Sequence, residues 1–272
     1  MKLGKSAAWV ACTAALLAAS ACGTEGARSA AKTVDSAGKA MAALARATDR
    51  TEGLGSAQVK ITTAIGTDTP TTMDGTYSWA NGYAFDVETD TKAANMQALQ
   101  HSAKIRFLFV DGAYYYNVDS PRTGRYKGKN WIKVDGSAIF GAKGAQALRG
   151  SNGSPSASMK GLKYANDVDN LGAETVDGQR TTHYRAVIDQ AHLGKFKDAY
   201  GKDTPMGTAL GITSITMDVW VGSGDLPVRM KEKMGTMTVT MDFEKFGKTA
   251  TVKAPPASKT ADLTYVMKRK QS

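Results

Sequence analysis

The residue with the most distinctive chemistry in this 272-residue chain is Cys22, which closes a short apolar segment near the N-terminus. Lys2 and Lys5 come first, and residues 7–19 then form an apolar run of 13 residues. That length is typical of the hydrophobic region of a signal peptide and is too short to span a bilayer. Small residues fill positions 19–21, directly before the cysteine. A cysteine thiol that directly follows such a segment is a candidate for covalent modification during export.

Residues 16–22 resemble a bacterial lipobox, in which the cysteine sulfur receives a diacylglyceryl group and the peptide is cut just before it. The chain departs from the usual pattern at Ala19, where a lipobox usually has leucine. The alternative is ordinary secretion, with cleavage at the A-x-A site of residues 19–21. We expect residues 16–22 to be a lipobox. Residues 1–21 would then be a lipoprotein signal peptide, and Cys22, carrying diacylglycerol and palmitate, would anchor the chain to the membrane.

The second cysteine supports this expectation. Cys12 lies inside the apolar run and would leave with the signal peptide, so the mature chain would hold one cysteine, at its first position. No intramolecular disulfide is then possible, although the compartment permits one. Two acyl chains, at roughly 0.8 kcal/mol per buried CH₂, would hold the protein stably on the extracytoplasmic face of the plasma membrane.

The chain is basic, with 35 Lys and Arg against 25 Asp and Glu and a net charge of +10. A basic surface suits an anionic membrane or a polyanionic cell wall, and it is equally explained as charge that keeps the protein soluble. We expect no nucleic-acid partner, because the chain is exported and lacks a basic-aromatic nucleic-acid motif. No later segment reaches the roughly 18 apolar residues of a spanning helix, so the acyl chains would be the only membrane attachment.

The mature chain divides into a short leader and one domain. Residues 22–33 are small and polar and predict a flexible tether, followed by a single domain over residues 34–272. A helix is predicted next, with Thr33 or Asp35 as its cap and Gly53 and Gly55 at its end. Its apolar stripe repeats at spacings of three and four and consists of Val34, Ala37, Met41, Leu44, Ala45 and Thr48.

Beyond this helix the apolar period changes to two, which predicts about ten strands. Three dipeptides, Asn81-Gly82, Asp111-Gly112 and Asp177-Gly178, are strong signals for two-residue hairpins. Short helices are predicted over residues 92–101, 139–148 and 191–200, and a flexible loop over 150–161. That loop could divide two domains, but the same strand pattern resumes after it, so we predict one sheet. The strands are predicted at 59–65, 73–80, 83–89, 105–110, 113–118, 131–134, 173–176, 179–189, 215–221, 226–234 and 237–243.

Two later segments carry a family resemblance: residues 174–189, with the sequence ETVDGQRTTHYRAVID, and residues 217–230, with the sequence MDVWVGSGDLPVRM. Together with the lipobox and the first helix, they resemble the LppX/LprG-type actinobacterial lipoproteins, which share a fold with the LolA and LolB lipoprotein carriers. The resemblance covers about residues 34–265. It implies an α+β fold in which a curved antiparallel half-barrel sheet wraps over helices and encloses an apolar cavity for lipid chains.

The family implies no catalytic motif. We expect structural roles for the motif residues: a buried hydrogen-bonding histidine at His183 with its neighbour Tyr184, a core indole at Trp220, and an ion pair at Arg229 after Pro227.

Other chemistry is not indicated, and we expect no enzyme, cofactor or metal site. His101, His183 and His192 have no histidine partner at ligand spacing, and residues 167–170 lack the glycine and distal glutamate of a calcium loop. Residues 114–116, three tyrosines, could form a carbohydrate platform, but alternate strand residues face opposite ways. Five methionines on neighbouring predicted strands suit either an adaptable apolar cavity or an ordinary core: Met217, Met230, Met234, Met237 and Met241.

The resulting hypothesis is a membrane-anchored lipoprotein that holds acyl chains, as carrier or chaperone of lipid or lipoprotein. The alternative is a cell-surface interaction or sensor lipoprotein with a small or filled cavity and an envelope protein as partner. The candidate lining residues of the cavity are Val59, Ile61, Trp79, Phe85, Phe107, Trp220, Met230 and Met241.

Overall fold

The computed structural model describes residues 24–138, 155–162, 167–193 and 205–271, with isolated positions 165, 197, 201 and 202. The helices are α1 (Thr24–Leu54), α2 (Pro155–Gly161), α3 (Pro205–Leu210) and α4 (Thr264–Gln271). Short 3₁₀ turns lie at 190–192, 223–225 and 257–259. The strands are β1 (Ser56–Ile65), β2 (Thr71–Ser78), β3 (Ala84–Asp90), β4 (Lys104–Val110), β5 (Ala113–Asn117), β6 (Trp131–Asp135), β7 (Asp167–Val176), β8 (Gln179–Asp189), β9 (Ser214–Val221), β10 (Pro227–Met234), β11 (Met237–Phe246) and β12 (Thr260–Asp262).

All twelve strands of the described residues belong to one large, open, curved sheet, in the order β12-β6-β5-β4-β3-β2-β1-β11-β10-β9-β8-β7. Two antiparallel meanders, β1–β6 and β7–β11, meet where β1 pairs with β11 at the centre. Every pairing is antiparallel except that of β12 with β6, which is parallel. The prediction of one sheet that continues after the interruption near residue 150 is therefore confirmed for the described residues.

Two of the three predicted hairpins have the expected two-residue turn. Val110 pairs with Ala113 across Asp111-Gly112, and Val176 pairs with Gln179 across Asp177-Gly178. All four turn residues have positive φ, between 48° and 75°, as this turn class requires.

The turn at Asn81-Gly82 is longer than predicted, because β2 already ends at Ser78 and β3 begins at Ala84. The amides of Trp79 and Ala80 both donate to the carbonyl of Gly55, at 2.8 and 3.1 Å. This contact with the end of α1 takes the two residues out of the ladder with β3.

Helix α1 begins at Thr24, earlier than the predicted caps Thr33 and Asp35, and ends as predicted, with Gly55 in the left-handed region at φ 71°. The buried positions Ala40, Ala43, Leu44 and Ala47 repeat at spacings of three and four and join the core cluster of the sheet. Thr48 is buried, but Ala45 of the predicted stripe is exposed, so the buried face is rotated slightly. The division between tether and domain stays a prediction.

Four further predicted segments are not confirmed as predicted. The loop predicted over 150–161 is wrong for its second half, where Pro155 starts α2 and Met159 and Leu162 are buried in the core; proline fits the first turn of a helix. The helix predicted over 92–101 is instead a series of hydrogen-bonded turns, such as Ala94 N to Asp90 O at 3.0 Å. The helix predicted at 139–148 and most of the one at 191–200 lie outside the described residues.

Gly75 in the middle of β2 allows an unusually close approach of two strands. Its φ is 158°, and a Cβ atom there would lie 2.1 Å from the carbonyl oxygen of Asp86 on β3. A glycine inside a strand commonly marks such an approach or a tight bend. Any larger residue would force β2 and β3 apart.

Candidate functional site

The inner face of the sheet, which packs against α1, is the candidate site. Its side chains follow from the strand registers: Ile61 on β1 lies opposite Met73 on β2 and Met241 on β11, and Met241 lies opposite Met230 on β10. Because alternate residues of a strand point to opposite faces, these apolar positions form one row across the sheet. The largest buried cluster consists of such rows together with Ala43, Leu44 and Ala47 of α1.

Seven of the eight predicted lining residues lie in or against this cluster. Val59, Ile61, Trp79, Phe85 and Met230 are buried in it, and Phe107 and Met241 are partly buried against it. Trp79 also donates its indole N–H to the carbonyl of Thr51 on α1, at 3.1 Å, which ties the helix to the start of the hairpin loop. Whether these residues line a ligand cavity stays a prediction.

Trp220 is the exception, and its placement on the inner face is wrong. Its neighbours Val219 and Val221 belong to the inner cluster, so the period of two in β9 turns Trp220 to the outer face. It is not a core indole. The alternation of residues 217–221 indicates the outer face for Trp220. The prediction instead placed Trp220 on the inner face because its side chain is aromatic.

One half of the inner face is built from aromatic rings, which we call the aromatic wing. Phe109 lies 4.8 Å from Tyr114 and 5.8 Å from Phe85, measured between ring centroids, and Phe85 stacks on Tyr77 at 5.3 Å. Burial raises the pKa of Tyr77 to about 12 and raises the pKa of Tyr114 as well, so these phenols stay neutral. The wing consists of Tyr77, Tyr83, Phe85, Phe107, Phe109, Tyr114 and Tyr116, of which Tyr83, Phe107, Tyr114 and Tyr116 are only partly buried.

The other half is rich in methionine, and we call Met217, Met230, Met234, Met237 and Met241 the methionine wing. Met230 lies opposite Met241, and Met234 lies opposite Met237, so the predicted clustering of these residues is confirmed. Helix α2 contacts α1, and its Met159, together with Leu162 directly after the helix, belongs to the same core. Unbranched thioether side chains repack around different shapes more easily than rings do.

A carboxyl group lies within the methionine wing, and the sequence analysis missed it. Glu232 alternates with Met230 and Met234 on β10 and lies opposite Met217 and Val239. Its carboxyl group hydrogen-bonds the side chain of Ser158 on α2, and burial raises its pKa. The period of two in residues 230–234 was the signal that could have found it.

The outer face carries a polar cluster that joins three strands. Both ring nitrogens of His183 on β8 face carboxylates: Nδ1 lies 2.9 Å from Glu174 Oε1 on β7, and Nε2 lies 2.8 Å from Asp218 Oδ1 on β9. The Trp220 ring stacks on the imidazole at 4.1 Å, and its N–H donates to Glu174 Oε2 at 2.7 Å. Asp218 also accepts a hydrogen bond from Arg185 Nε, at 2.8 Å.

These contacts lower the pKa of Glu174, through the hydrogen bonds from Trp220 and His183, and Asp218 raises the pKa of Arg185. The expectation of a buried, hydrogen-bonding His183 is confirmed. The expected ion pair of Arg229 is also present, with Asp242 and with Asp177 at 3.2 Å. Every member of the cluster has a bonding partner within it, so the cluster fastens β7, β8 and β9 together.

The described residues contain no group of three or more His, Cys, Asp or Glu arranged to hold a metal ion. They also contain no helix that combines the length and the apolar character needed to cross a membrane. Cys22 lies outside the described residues, so its modification stays a prediction.

Comparison with known proteins agrees with this geometry. A Streptomyces coelicolor protein named "Putative lipoprotein" is 29% identical over 234 residues, covering 82% of this chain and 73% of that protein. LprF from Mycobacterium bovis has a TM-score of 0.51 at 14% identity, covering 80% of this chain and 97% of LprF. The Mycobacterium tuberculosis lipoprotein LppX has a TM-score of 0.51 at 16% identity, covering 79% of this chain and 98% of LppX. No family model matches the chain.

The open, curved antiparallel sheet with few helices defines the class of fold. More particularly, the chain shares this fold with the mycobacterial lipoproteins LprF and LppX, and the resemblance to LppX/LprG-type lipoproteins predicted from residues 174–189 and 217–230 is confirmed.

Proposed function

We propose that the protein is a membrane-anchored lipoprotein that holds acyl chains against the inner face of its sheet, as a carrier or chaperone of lipid or lipoprotein. The main support for the proposal is the partial exposure of the inner face. Four of its apolar or aromatic side chains are only partly buried: Phe107, Tyr114, Tyr116 and Met241. The described protein therefore leaves part of this face open. The fold shared with LprF and LppX supports the same function.

The mechanism would be passive. In the LolA-like arrangement the sheet is a half-barrel wrapped over helices, and acyl chains would enter between them. Apolar surface that leaves water for this space contributes roughly 25 cal/mol per Å². The methionine wing would adapt to chains of different shape, because each thioether has several accessible rotamers. No covalent step is required, so the proposal includes no enzymatic activity.

Cys22 would carry the anchor, on the extracytoplasmic face of the plasma membrane. The basis is the small-residue segment before it and the single cysteine left in the mature chain. We expect Cys22→Ser to move the protein from the membrane fraction to the medium. A variant that stayed with the membrane through a high-salt wash would show that the acyl anchor is wrongly assigned.

Native mass spectrometry of the protein purified from its own host tests the binding function most directly. We expect a copurifying mass that extraction identifies as a lipid, and displacement of a fluorescent fatty-acyl probe by that lipid. A clean mass for the protein alone, with no uptake of the probe, would argue against the carrier function.

An interaction or sensor protein is the second candidate, and one feature favours it. Strand β7 ends the sheet, and its outer edge pairs with no other strand among the described residues. Leu171 is 45% exposed there, at the irregularity between Asn170 and Gly172. An open strand edge with an exposed apolar residue can add a strand from a partner. Copurification of a protein and no lipid would favour this function.

A further inference from the structure

The surplus positive charge of the chain is concentrated in two stretches that are far apart in sequence. Residues 119–135 and 251–270 together hold ten Lys and Arg against three Asp and Glu, a surplus of seven in a chain whose net charge is +10. The first stretch contains the loop before β6 and β6 itself. The second contains β12 and most of α4. We call the two stretches together the basic edge.

The fold joins these stretches into one surface at the end of the sheet. β12 pairs with β6, with Thr260 next to Trp131 and Asp262 next to Lys133. Lys129 Nζ donates to the carbonyl oxygens of Ala257 and Ser258, at 3.3 and 2.8 Å. The loop and the C-terminal segment are therefore parts of one structure and not separate tails.

The three carboxylates of the basic edge are engaged locally. Asp262 binds Lys133 at 3.2 Å, Asp119 accepts a hydrogen bond from the amide of His101 at 2.9 Å, and Asp135 accepts one from the amide of Ser137 at 2.8 Å.

Six cations of the basic edge, in contrast, are exposed to solvent. Within the part of the chain that the structure describes, no carboxylate forms an ion pair with the following exposed residues: Arg122, Arg125, Lys127, Lys253, Lys259 and Lys268. The basic edge therefore presents positive charge that the protein does not neutralise.

Exposed apolar groups accompany these cations. Tyr265 and Val266 at the start of α4 are 70% and 43% exposed, and the Arg269 guanidinium lies 5.9 Å from the centre of the Tyr265 ring. Tyrosine beside basic residues is typical of the interface between a bilayer and water. A soluble polyanion would attract the charges but would offer no apolar phase to Tyr265 and Val266. The combination favours a lipid surface.

We propose that the basic edge docks the domain on an anionic lipid bilayer, with its cations at the phosphate head groups and Tyr265 and Val266 in the interfacial layer. β6 also carries Ile132 and Val134, which lie opposite Tyr116 and Tyr114 of the aromatic wing. Docking would thus bring the aromatic wing to the lipid surface. The proposal depends neither on an acyl cavity nor on modification of Cys22.

The test uses the mature chain with Cys22→Ser, so that binding cannot come from an acyl anchor. Its probes are phosphatidylcholine vesicles with and without phosphatidylglycerol, at low and high salt, in a sedimentation assay. We expect binding only to the vesicles that contain phosphatidylglycerol, weakening as salt screens the charges. An absence of binding to these vesicles at low salt would overturn the proposal.

Two variants with the same net charge distinguish the effect of where the cations lie from the effect of the net charge. The edge variant is Arg125→Gln, Lys127→Gln and Lys268→Gln. The control is Lys60→Gln, Lys231→Gln and Lys245→Gln, three exposed lysines on strands away from the edge. At roughly 1 kcal/mol per cation at the membrane, the edge variant should bind about 100-fold more weakly, and the control should bind nearly as the wild type does. Equal losses in both would overturn the proposal.

A third variant distinguishes lipid from other polyanions. Tyr265→Ser with Val266→Ser should weaken binding to the vesicles but leave binding to soluble polyphosphate unchanged. Strong binding of the wild type to polyphosphate, with no binding to the vesicles, would assign the basic edge to a wall polymer and contradict the lipid proposal. Urea midpoints of all variants, which change only exposed side chains, verify that each one is folded.

Discussion

The aromatic and methionine wings lie on the same face of one sheet but bury their side chains in different ways. In the aromatic wing, rings contact rings, and the buried ring of Phe109 has three ring neighbours, Tyr83, Phe85 and Tyr114. In the methionine wing, flexible side chains pack beside α2 and include a carboxyl group, that of Glu232. A stiff, partly open wall beside an adaptable one would suit the acyl chains of the proposed function. The difference predicts different responses to mutation.

The largest expected effect is in the aromatic wing. Phe109 is fully buried, whereas Phe107, two residues earlier on β4 and on the same face, is partly exposed. Phe109→Ala should lower the free energy of unfolding by about 3–5 kcal/mol, because it removes a fully buried ring and leaves a cavity. Phe107→Ala is the matched control and should cost clearly less. Urea denaturation measures both, and equal costs would show that the wing is packed uniformly.

A smaller effect is expected in the methionine wing. Met217 is fully buried and Met241 is partly buried. Met217→Trp should destabilise the protein by about 1–3 kcal/mol, the usual cost of adding bulk to a filled core. Met241→Trp should cost less and should reduce uptake of a fluorescent fatty-acyl probe, because the larger side chain occupies open space.

Strong destabilisation by both tryptophan substitutions, with no probe uptake by the wild type, would show that the interior is simply packed. The interaction function would then be the better explanation of the fold.

The sequence predicted the strands of the sheet well, because alternation along a strand is a local signal. Residues 237–243 alternate without a break and form most of β11, and the two Asp-Gly dipeptides fix their turns by backbone conformation alone. Strand β12 was missed since it has three residues and is held by a parallel pairing with β6, distant in sequence. No local pattern encodes such a contact.

The candidate site was predicted less completely, for two different reasons. Trp220 was placed by residue type although its neighbours Val219 and Val221 indicated the opposite face. Glu232 was missed because a carboxylate is not expected on an apolar face, and only its contact with Ser158 shows how it is accommodated. Helix α2, which supplies that contact, begins inside a stretch whose glycines and serines predicted a loop.

The smallest expected effect concerns Glu232 and appears as a dependence on pH. Burial raises the pKa of its carboxyl group above the ordinary value of 4.5, so the folded protein retains this proton at pH values where the unfolded chain has lost it. The stability that protonation contributes is present below pH 4.5 and is lost as the pH rises through the raised pKa of the folded state. Glu232→Gln has no such proton, so its free energy of unfolding should depend less on pH in this range.

Glu244→Gln, on an exposed position of β11, is the matched control, and its free energy of unfolding should depend on pH as that of the wild type does. Urea denaturation of the three proteins at a series of pH values measures the difference. If wild type and Glu232→Gln lose stability in parallel as the pH rises, the carboxyl group is solvated, and the methionine wing is more open to water than its apolar neighbours indicate.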